Sequence, residues 1–363
     1  MQPRTQNPEP RTPLVLGIET SCDETSVAVL EADGTVRSNL IASQIARHQP
    51  FGGVVPEIAS REHLEHLMPV LEKALGDAGI GLEDIDAVAV TAGPGLIGAL
   101  LVGVAAAQGI AWGRGLPLVP VNHLEGHIYS PWLRRDGAAL DLPERFFSMV
   151  VSGGHSSIYD VRSGEQPSVT ALNRTRDDAA GEVFDKVAKF LGLPYPGGPH
   201  IERIARGGDA NAFRFGIAQF KQDSPDFSFS GLKATAIRTA KEHGLEPSEG
   251  RPQPEERLRD FCASFQQAIS DQLIDRLVRL WPVDAGDAPS ELGLAGGVAA
   301  NGHLRERIEN WGAEAGVTVR LPEKVFCTDN AAMIAFSGIQ RMRAGFRGDP
   351  LRVQARSRMA VGQ

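Results

Sequence analysis

Short apolar segments separated by polar turns occur near the beginning of the chain and again near its middle. A similar layout of apolar run, polar loop and second apolar run is present in both places. Each layout predicts a β-hairpin with a polar first loop. Because the two layouts are alike, we expect a duplicated structural unit rather than a short-period repeat. The four apolar segments are 14–18 with 27–30, and 146–151 with 158–161.

Longer segments with apolar residues at helical spacing alternate with short strand-like runs in both halves of the chain. This alternation predicts α/β architecture. The most apolar segment, 96–112, is interrupted by glycines and falls short of the ~20 residues that span a bilayer, so we interpret it as a buried helix. The expected helices are 62–75, 96–112, 179–191, 258–280 and 331–342; the expected strands are 85–90, 117–121 and 292–295, with a surface insertion at 246–256.

Length and charge restrict the class of protein. A chain of 363 residues, of which 42% are hydrophobic and 23% charged, is expected to fold into two domains. The net charge of -8 argues against a protein that coats nucleic acid, because such binding needs a basic surface. A local basic face or a solvated basic terminus is expected in the tail, where Asp349 is the only acid among six arginines: Arg341, Arg343, Arg347, Arg352, Arg356 and Arg358.

The cysteines and the N-terminal segment bear on cellular location. Three cysteines, far apart and without CxxC spacing, favour a reducing, cytoplasmic environment. Residues 1–13 are polar and rich in proline, without the apolar stretch of a signal peptide. We expect a disordered extension at 1–13 and no association with a membrane.

The sharpest local pattern is the pair His123 and His127 in the segment NHLEGH. Histidines four apart on a helix project from one face and can share a metal ion. The metalloprotease pattern HExxH has its general base directly after the first histidine, whereas Glu125 lies two positions on, about 200° around a helix. Proteolysis is therefore not supported. The alternative is that both histidines are hydrogen-bonded packing residues.

Two histidines need a third ligand, and Asp329 is the best distant candidate. It lies just before the helical run 331–342, so an N-cap is its alternative role. Two imidazoles and one carboxylate with open positions suit iron or zinc that carries a substrate oxygen. Composition does not distinguish between the two metals.

Three glycine-rich loops form a second group of candidates, at 152–154, 196–199 and 295–301. Glycines let backbone amides approach a phosphate or a nucleotide closely, although ordinary turns are the alternative for each loop. Neither GxGxxG nor GxxxxGK[ST] occurs at these loops, which argues against Rossmann and Walker sites. Among the acids, Asp23 and Glu24 lie in the first polar loop. Asp185 lies at helical spacing from Asp178 and Glu182, and its carboxylate is suited to binding the ribose of a nucleotide.

Taken together, these motifs resemble the tRNA N6-adenosine threonylcarbamoyltransferases, a family formerly called O-sialoglycoprotein endopeptidases. The resemblance runs from about residue 14 to 345, in an order that is specific to the family. The matching motifs are GIETSCDET at 17–25, GGVVPE at 52–57, TAGPGL at 91–96, HLEGH at 123–127, VSGGH at 151–155, GEVFDK at 181–186, YPGGP at 195–199, FSFSGLK at 227–233 and CTDN at 327–330.

The resemblance implies an actin-like ATPase fold, in which two ribonuclease-H-like lobes enclose a nucleotide and metal cleft. The lobes would be 14–145 and 146–328, with a helix at 329–345 that returns to the first lobe and a basic tail at 346–363. The resemblance also implies Fe(2+), or zinc, on His123, His127 and Asp329, with Asp23 and Glu24 near the reaction centre. The implied substrate-binding residues are Val150, Val151, Ser152, Gly153, Gly154, Asp185, Gly198, Glu202 and Asn301.

The implied reaction moves the threonylcarbamoyl group of threonylcarbamoyl-AMP to N6 of adenosine 37 in tRNAs that read codons beginning with A. In bacteria the implied partners are an inactive paralogue of the same fold and a P-loop ATPase. A non-catalytic, nucleotide-binding scaffold is the alternative. Two positions depart from the family pattern: Asn122 replaces a frequent histidine, and Gly302 replaces a common arginine.

Overall fold

The computed structural model describes residues 12–164, 166–217, 224–247, 254–282 and 288–362. Most of the extension expected at 1–13 lies outside this part of the chain, as does the middle of the insertion expected at 246–256. The chain is held from Pro13 onwards, where the carbonyl accepts a hydrogen bond from the Ala32 amide at 2.9 Å.

The first half of the chain forms a five-stranded sheet with the order β3-β2-β1-β4-β5. Strand β1 pairs antiparallel with β2 and parallel with β4, so the hairpin expected at 14–30 is confirmed. Strand β3 follows β2 in a second hairpin that the sequence pattern did not predict, because this strand is only partly buried and has no continuous apolar run. The strands are Leu14–Glu19, Glu24–Glu31, Val36–Ser43, Ala87–Gly93 and Leu118–Asn122, β1 to β5 in order.

The second half repeats this arrangement in a sheet with the order β10-β9-β6-β7-β8. Strand β6 pairs antiparallel with β7 and parallel with β9, as β1 does with β2 and β4. The duplication expected from the two hairpins is therefore confirmed. The strands are Arg145–Val151, Ser156–Arg162, Ser168–Ala171, Glu291–Ala295 and Thr318–Arg320, β6 to β10 in order.

Ten α-helices surround the two sheets within the described residues. Helix α2 is longer than the 62–75 expected, because Pro56 fits the first helical turn and Gly79 ends the helix in the left-handed conformation (φ 68°). The helices, α1 to α10 in order, are Ile45–His48, Pro56–Ala78, Ile97–Arg114, His123–Tyr129, Ala180–Phe190, Gly197–Ala205, Ser230–Glu242, Glu255–Leu280, Gly302–Ala315 and Ala331–Arg343.

Helix α10 lies on the first sheet although it is separated from that sheet by the whole second half of the chain. Gly17 permits this approach, since a Cβ at residue 17 would lie 2.3 Å from the Ala331 carbonyl oxygen. Phe336 of α10 then joins a buried cluster that contains Val15 from the first sheet and Phe146 from the second. One apolar core thus connects the two sheets and places the beginning of α10 between them.

Helix α3 corrects the expectation of a fully buried helix at 96–112. Its small residues, such as Ala99 and Ala107, face the core, whereas Leu101 and Trp112 on the opposite face are 53% and 69% exposed. By length and composition alone this is the one helix among the described residues that is apolar enough to cross a membrane, a property that core helices share. The exposed apolar side faces Leu64 and other residues of α2 across a shallow groove.

Candidate metal centre and interlobe site

Strand β5 ends at Asn122, and helix α4 begins with His123 directly afterwards. His123 and His127 lie on one face of this helix, and their ring centroids are 4.8 Å apart. Asp329 approaches them from the loop before α10, and its Oδ1 lies 3.1 Å from His127 Nε2 and 3.4 Å from His123 Nε2. One ligand atom from each residue lies within 4.8 Å of the others, so the three can hold one metal ion.

The charges of this cluster fit a bound cation. Burial alone would lower the pKa of His123, but the Asp329 and Glu19 carboxylates outweigh burial and raise it well above its usual value. Burial would likewise raise the pKa of Asp329, but the two imidazoles hold it far below the usual range. A positive charge is therefore stabilised where the donor atoms converge. Two nitrogen donors and one oxygen donor also suit a transition metal that keeps open positions.

Glu19, the last residue of β1, orients the first histidine. Its fully buried carboxylate accepts hydrogen bonds from the Ser21 amide and the Thr91 hydroxyl, and it lies 3.2 Å from His123 Nδ1. His123 therefore presents Nδ1 to Glu19 and Nε2 to Asp329. A carboxylate behind a metal-binding imidazole fixes the orientation of the ring. The sequence interpretation gave Glu19 no role, although an acid at the end of a buried strand was a usable signal.

Asp329 is not the N-cap of α10, so the capping role considered as the alternative to metal binding is excluded. The side chain of Asn330 takes that position and accepts a hydrogen bond from the Met333 amide at 3.1 Å. The Asp329 carboxylate is therefore free of helix capping and is directed at the two histidines.

The two acids assigned to the first polar loop differ in position. Asp23 is buried in the loop, whereas Glu24 is the first residue of β2 and not part of the loop as expected. Burial, followed by the negative charges of Asp23 and Asp329, raises the pKa of Glu24 well above its usual value. Glu24 therefore keeps its proton to a higher pH than an exposed glutamate does.

The glycine loop after β6 lies beside the metal cluster. Burial, and then the neighbouring His123 and His127, lower the pKa of His155 to about 4. Gly153 and Gly154 are exposed, and open space surrounds the position where a Cβ would stand on either residue. Their backbone is therefore accessible to a ligand, as is the half-buried Ser152.

Two of the predicted substrate-binding residues do not offer their side chains to this site. Val150 and Val151 have side chains that are completely buried within the apolar cores. Because alternate residues of a strand face opposite sides, β6 packs both valines into core on its two faces. Only their backbone atoms can line a ligand site.

The remaining predicted substrate-binding residues lie on three neighbouring helices: one on α5, two on α6 and one at the N-terminus of α9. Asp185 accepts a hydrogen bond from the Gly197 amide at 2.7 Å, and Gly198 follows at the start of α6 with little above it. Glu202, one turn further along α6, accepts a hydrogen bond from the Gly302 amide at 3.0 Å. Asn301 is committed to capping α9, because its Oδ1 accepts a hydrogen bond from the Leu304 amide at 2.9 Å.

The structure explains both departures from the family pattern. A Cβ at residue 302 would lie 3.1 Å from Glu202 Oε1, so the glycine lets this carboxylate reach the backbone. Asn122 caps α4 through a hydrogen bond from the Leu124 amide at 2.9 Å. Its amide nitrogen donates to the carbonyls of Met359 and Ala360, at 3.3 and 3.0 Å, and so anchors the C-terminal tail beside the metal helix.

Glu125 is also occupied by the tail. Its carboxylate accepts a hydrogen bond from the Gly362 amide at 2.9 Å and lies 3.6 Å from Arg341 Nη1. The side chain is thus directed away from the metal ligands, which agrees with the sequence-based rejection of a protease base.

Asp185 gives a prediction for stability. Burial, together with the charges of Asp23 and Glu182, raises its pKa to about 6, against the hydrogen bond from Gly197. The folded protein therefore binds the Asp185 proton more tightly than the unfolded chain does, so stability is lost as the pH rises from about 4 to about 6 and the full cost is present above about 6. We expect Asp185→Asn to raise the free energy of unfolding at pH 7.5 by about 1–3 kcal/mol, with the gain lost near pH 4.

Urea unfolding of both proteins at pH 7.5 and pH 4 measures this difference. Asp178→Asn is the matched control of opposite sign, because hydrogen bonds from Lys186 and Lys233 outweigh burial and lower the pKa of Asp178. That variant should be less stable than the parent at pH 7.5, and the deficit should shrink as the pH falls. An Asp185→Asn protein no more stable than the parent at pH 7.5 would contradict the prediction.

Comparison with known proteins agrees with this geometry. Residues 35–336 match the family model described as tRNA N6-adenosine threonylcarbamoyltransferase. A protein of that name from Syntrophobacter fumaroxidans is 47% identical over 347 residues, covering 95% of this chain and 99% of the relative. Another from Moorella thermoacetica is 50% identical over 324 residues, covering 88% and 89%.

Solved structures with low sequence identity show the same fold. Full-length HypF in the phosphate- and nucleotide-bound form matches with a TM-score of 0.57 and 13% identity, over 91% of this chain and 55% of HypF. T. kodakarensis HypF matches with a TM-score of 0.56 and 14% identity, over 93% and 48%. The two repeated sheets therefore form an actin-like ATPase fold, and the chain belongs to the tRNA N6-adenosine threonylcarbamoyltransferase family.

Proposed function

We propose that this chain transfers the threonylcarbamoyl group of threonylcarbamoyl-AMP to N6 of adenosine 37 in tRNAs that read codons beginning with A, releasing AMP. The observation that carries the proposal is the convergence of His123, His127 and Asp329, with ligand atoms within 4.8 Å, in a chain of this family. The first polar loop, which contains Asp23, reaches the same cluster through the Ser21 hydroxyl, 3.1 Å from His123 Nδ1.

The chemistry requires orientation more than activation of the donor. Threonylcarbamoyl-AMP is a mixed anhydride, so its carbamoyl carbon is already activated and AMP is a good leaving group. Adenine N6 is a weak nucleophile because its lone pair is delocalised into the ring. The protein must therefore hold the two reactants together and stabilise the charge that develops.

The step forms a bond between N6 and the carbamoyl carbon and breaks the bond from that carbon to the phosphate oxygen. AMP leaves with the electron pair of the broken bond, and N6 loses one proton. Asp23, a buried carboxylate of the first polar loop, is the proposed acceptor of this proton. The backbone amides of Gly153 and Gly154 are proposed to hold phosphate oxygens of the donor.

His123, His127 and Asp329 are the proposed ligands of one Fe(2+) per subunit, with zinc as the other metal that this donor set suits. When bound, the metal supplies Lewis acidity toward carbonyl or phosphate oxygens. Glu19 fixes the orientation of His123, and the remaining proposed substrate contacts are the backbone of Val150 and Val151, and Ser152, Asp185, Gly198, Glu202 and Asn301. The proposed lobe boundaries are 14–145 and 146–328, with 329–345 as the returning helix.

Because the net charge of this chain is -8, partners are proposed to supply part of the tRNA-binding surface. The proposed partners are an inactive paralogue of the same fold and a P-loop ATPase, and the proposed location is the cytoplasm.

The function is tested by incubating the pure chain, with these partners, with threonylcarbamoyl-AMP labelled in the threonine and with unmodified tRNA. Label in the tRNA and stoichiometric release of AMP are expected. A tRNA in which adenosine 37 is replaced by guanosine is the matched control and should remain unlabelled. If label enters the tRNA equally well when this chain is left out, the chain is not the transferase.

A further inference from the structure

A cavity of about 280 Å³ lies between the turn Gln49–Phe51 of the first half of the chain and the C-terminal part of α5 with the loop that follows it. The volume is close to the lower end of the ~300–1,000 Å³ typical of small-molecule sites. The lining includes Gln49, Phe51, Gly52, Asp185, Lys189 and Tyr195.

Three lining residues belong to family motifs: Gly52 to GGVVPE, Asp185 to GEVFDK and Tyr195 to YPGGP. Gly52 has a positive φ of 69°, and a Cβ at this residue would lie 2.8 Å from Lys189 Nζ. The glycine therefore allows the lysine to cross from α5 and close one side of the cavity. The two halves of the chain meet here at short range.

The cavity adjoins the proposed reaction centre. Its wall includes Asp185, whose carboxylate binds the Gly197 amide next to the proposed donor contact Gly198. Tyr195 lines the cavity beside Asp185, and burial raises the pKa of its phenol far above the usual value. A molecule in the cavity therefore lies beside the proposed donor site.

The lining has the chemistry of a nucleobase site. Phe51 is 57% exposed, so a large aromatic face is available in a protein that buries most of its phenylalanines. Base-on-aromatic stacking is a general means of holding an unstacked base. The Gln49 amide can donate to and accept from a base edge, and the Lys189 ammonium can meet a backbone phosphate. The glycine loop at 152–154, in contrast, offers backbone amides without an aromatic face.

We infer that this cavity receives the acceptor adenine of the tRNA, stacked on Phe51. The inference rests on the proposed function and adds the acceptor subsite to it. An adenosine in a single-stranded loop can be turned out of its stack at low cost, which makes a cavity for one base sufficient. Phe51 is thus a substrate-binding residue from the half of the chain opposite to the donor loops.

The test compares Phe51→Leu and Phe51→Trp with the unchanged chain, each assembled with its partners and assayed with full tRNA. Phe51→Leu keeps apolar bulk but lacks an aromatic face, so we expect the KM for tRNA to rise about 10- to 100-fold. The KM for threonylcarbamoyl-AMP should change by less than about twofold, and Phe51→Trp should restore most of the affinity for tRNA. Leu351→Ala, which also changes an exposed apolar residue (71%), is the control and should behave as the parent.

A second measurement uses anticodon stem-loops with adenosine or an abasic site at the acceptor position. The parent complex should bind the adenosine form more tightly by about tenfold or more, and Phe51→Leu should bind the two forms equally. If Phe51→Leu retains the preference for adenosine, or weakens only the binding of threonylcarbamoyl-AMP, the cavity is not the acceptor site. Failure of the parent complex to label tRNA would instead overturn the proposed function, so the two failures are distinguishable.

Discussion

Replacing His123 and His127 together by alanine should release the bound metal and lower the rate of transfer by about 100-fold or more. The two imidazoles supply two of the three donor atoms that lie within 4.8 Å of one another, and Asp329 alone cannot hold a transition metal tightly. Metal content per chain by elemental mass spectrometry, measured beside the transfer rate, tests the prediction. Both quantities should fall together.

Glu125→Gln is the matched control because it changes a buried residue of the same helix whose side chain is directed at Gly362 and not at the metal ligands. It should retain the metal. Since two buried imidazoles are removed in the double variant, near-ultraviolet circular dichroism must show that its tertiary packing is kept. Full transfer by folded, metal-free protein would contradict a role of the metal in the reaction.

Replacing Glu19 by glutamine should weaken metal binding by about 10- to 100-fold while leaving all three ligands in place. The effect is expected because Glu19 lies 3.2 Å from His123 Nδ1, and a carboxylate in this position both orients the imidazole and increases its basicity. A competition titration with a metal chelator measures the loss. Excess metal should restore most of the transfer rate, which a misfolded protein would not allow.

Glu31→Gln is the control, because Glu31 ends the neighbouring strand β2 and pairs with the exposed Arg37 at 2.9 Å. It should bind the metal as the parent does. Unchanged metal affinity in Glu19→Gln would show that the Ser21 hydroxyl, 3.1 Å from the same ring nitrogen, suffices to orient His123.

The periodic part of the fold was predictable because apolar residues repeat there at the spacing of the element. Strands β1, β2, β6 and β7 follow from continuous apolar runs, and helix α8 from apolar residues at helical spacing. Strands β3 and β10 were not predicted, since they are short or partly exposed and leave no such run. Helix α3 shows the opposite error: the apolar segment 96–112 was expected to be a buried helix, but Leu101 and Trp112 are exposed.

The residues of the candidate site also differ in whether a local sequence pattern predicts them. The sequence by itself determined the local pair His123 and His127, because residues four apart on a helix share a face whatever surrounds the helix. The sequence offered Asp329 as a candidate third ligand with capping as its alternative, and the tertiary structure brought it to this pair, because α10 returns across the chain onto β1 where Gly17 leaves room. Only the tertiary structure also gave Glu19 its role behind His123 and joined Phe51 to α5 in one cavity. Those contacts link residues far apart in the chain, and no local spacing encodes such a distance.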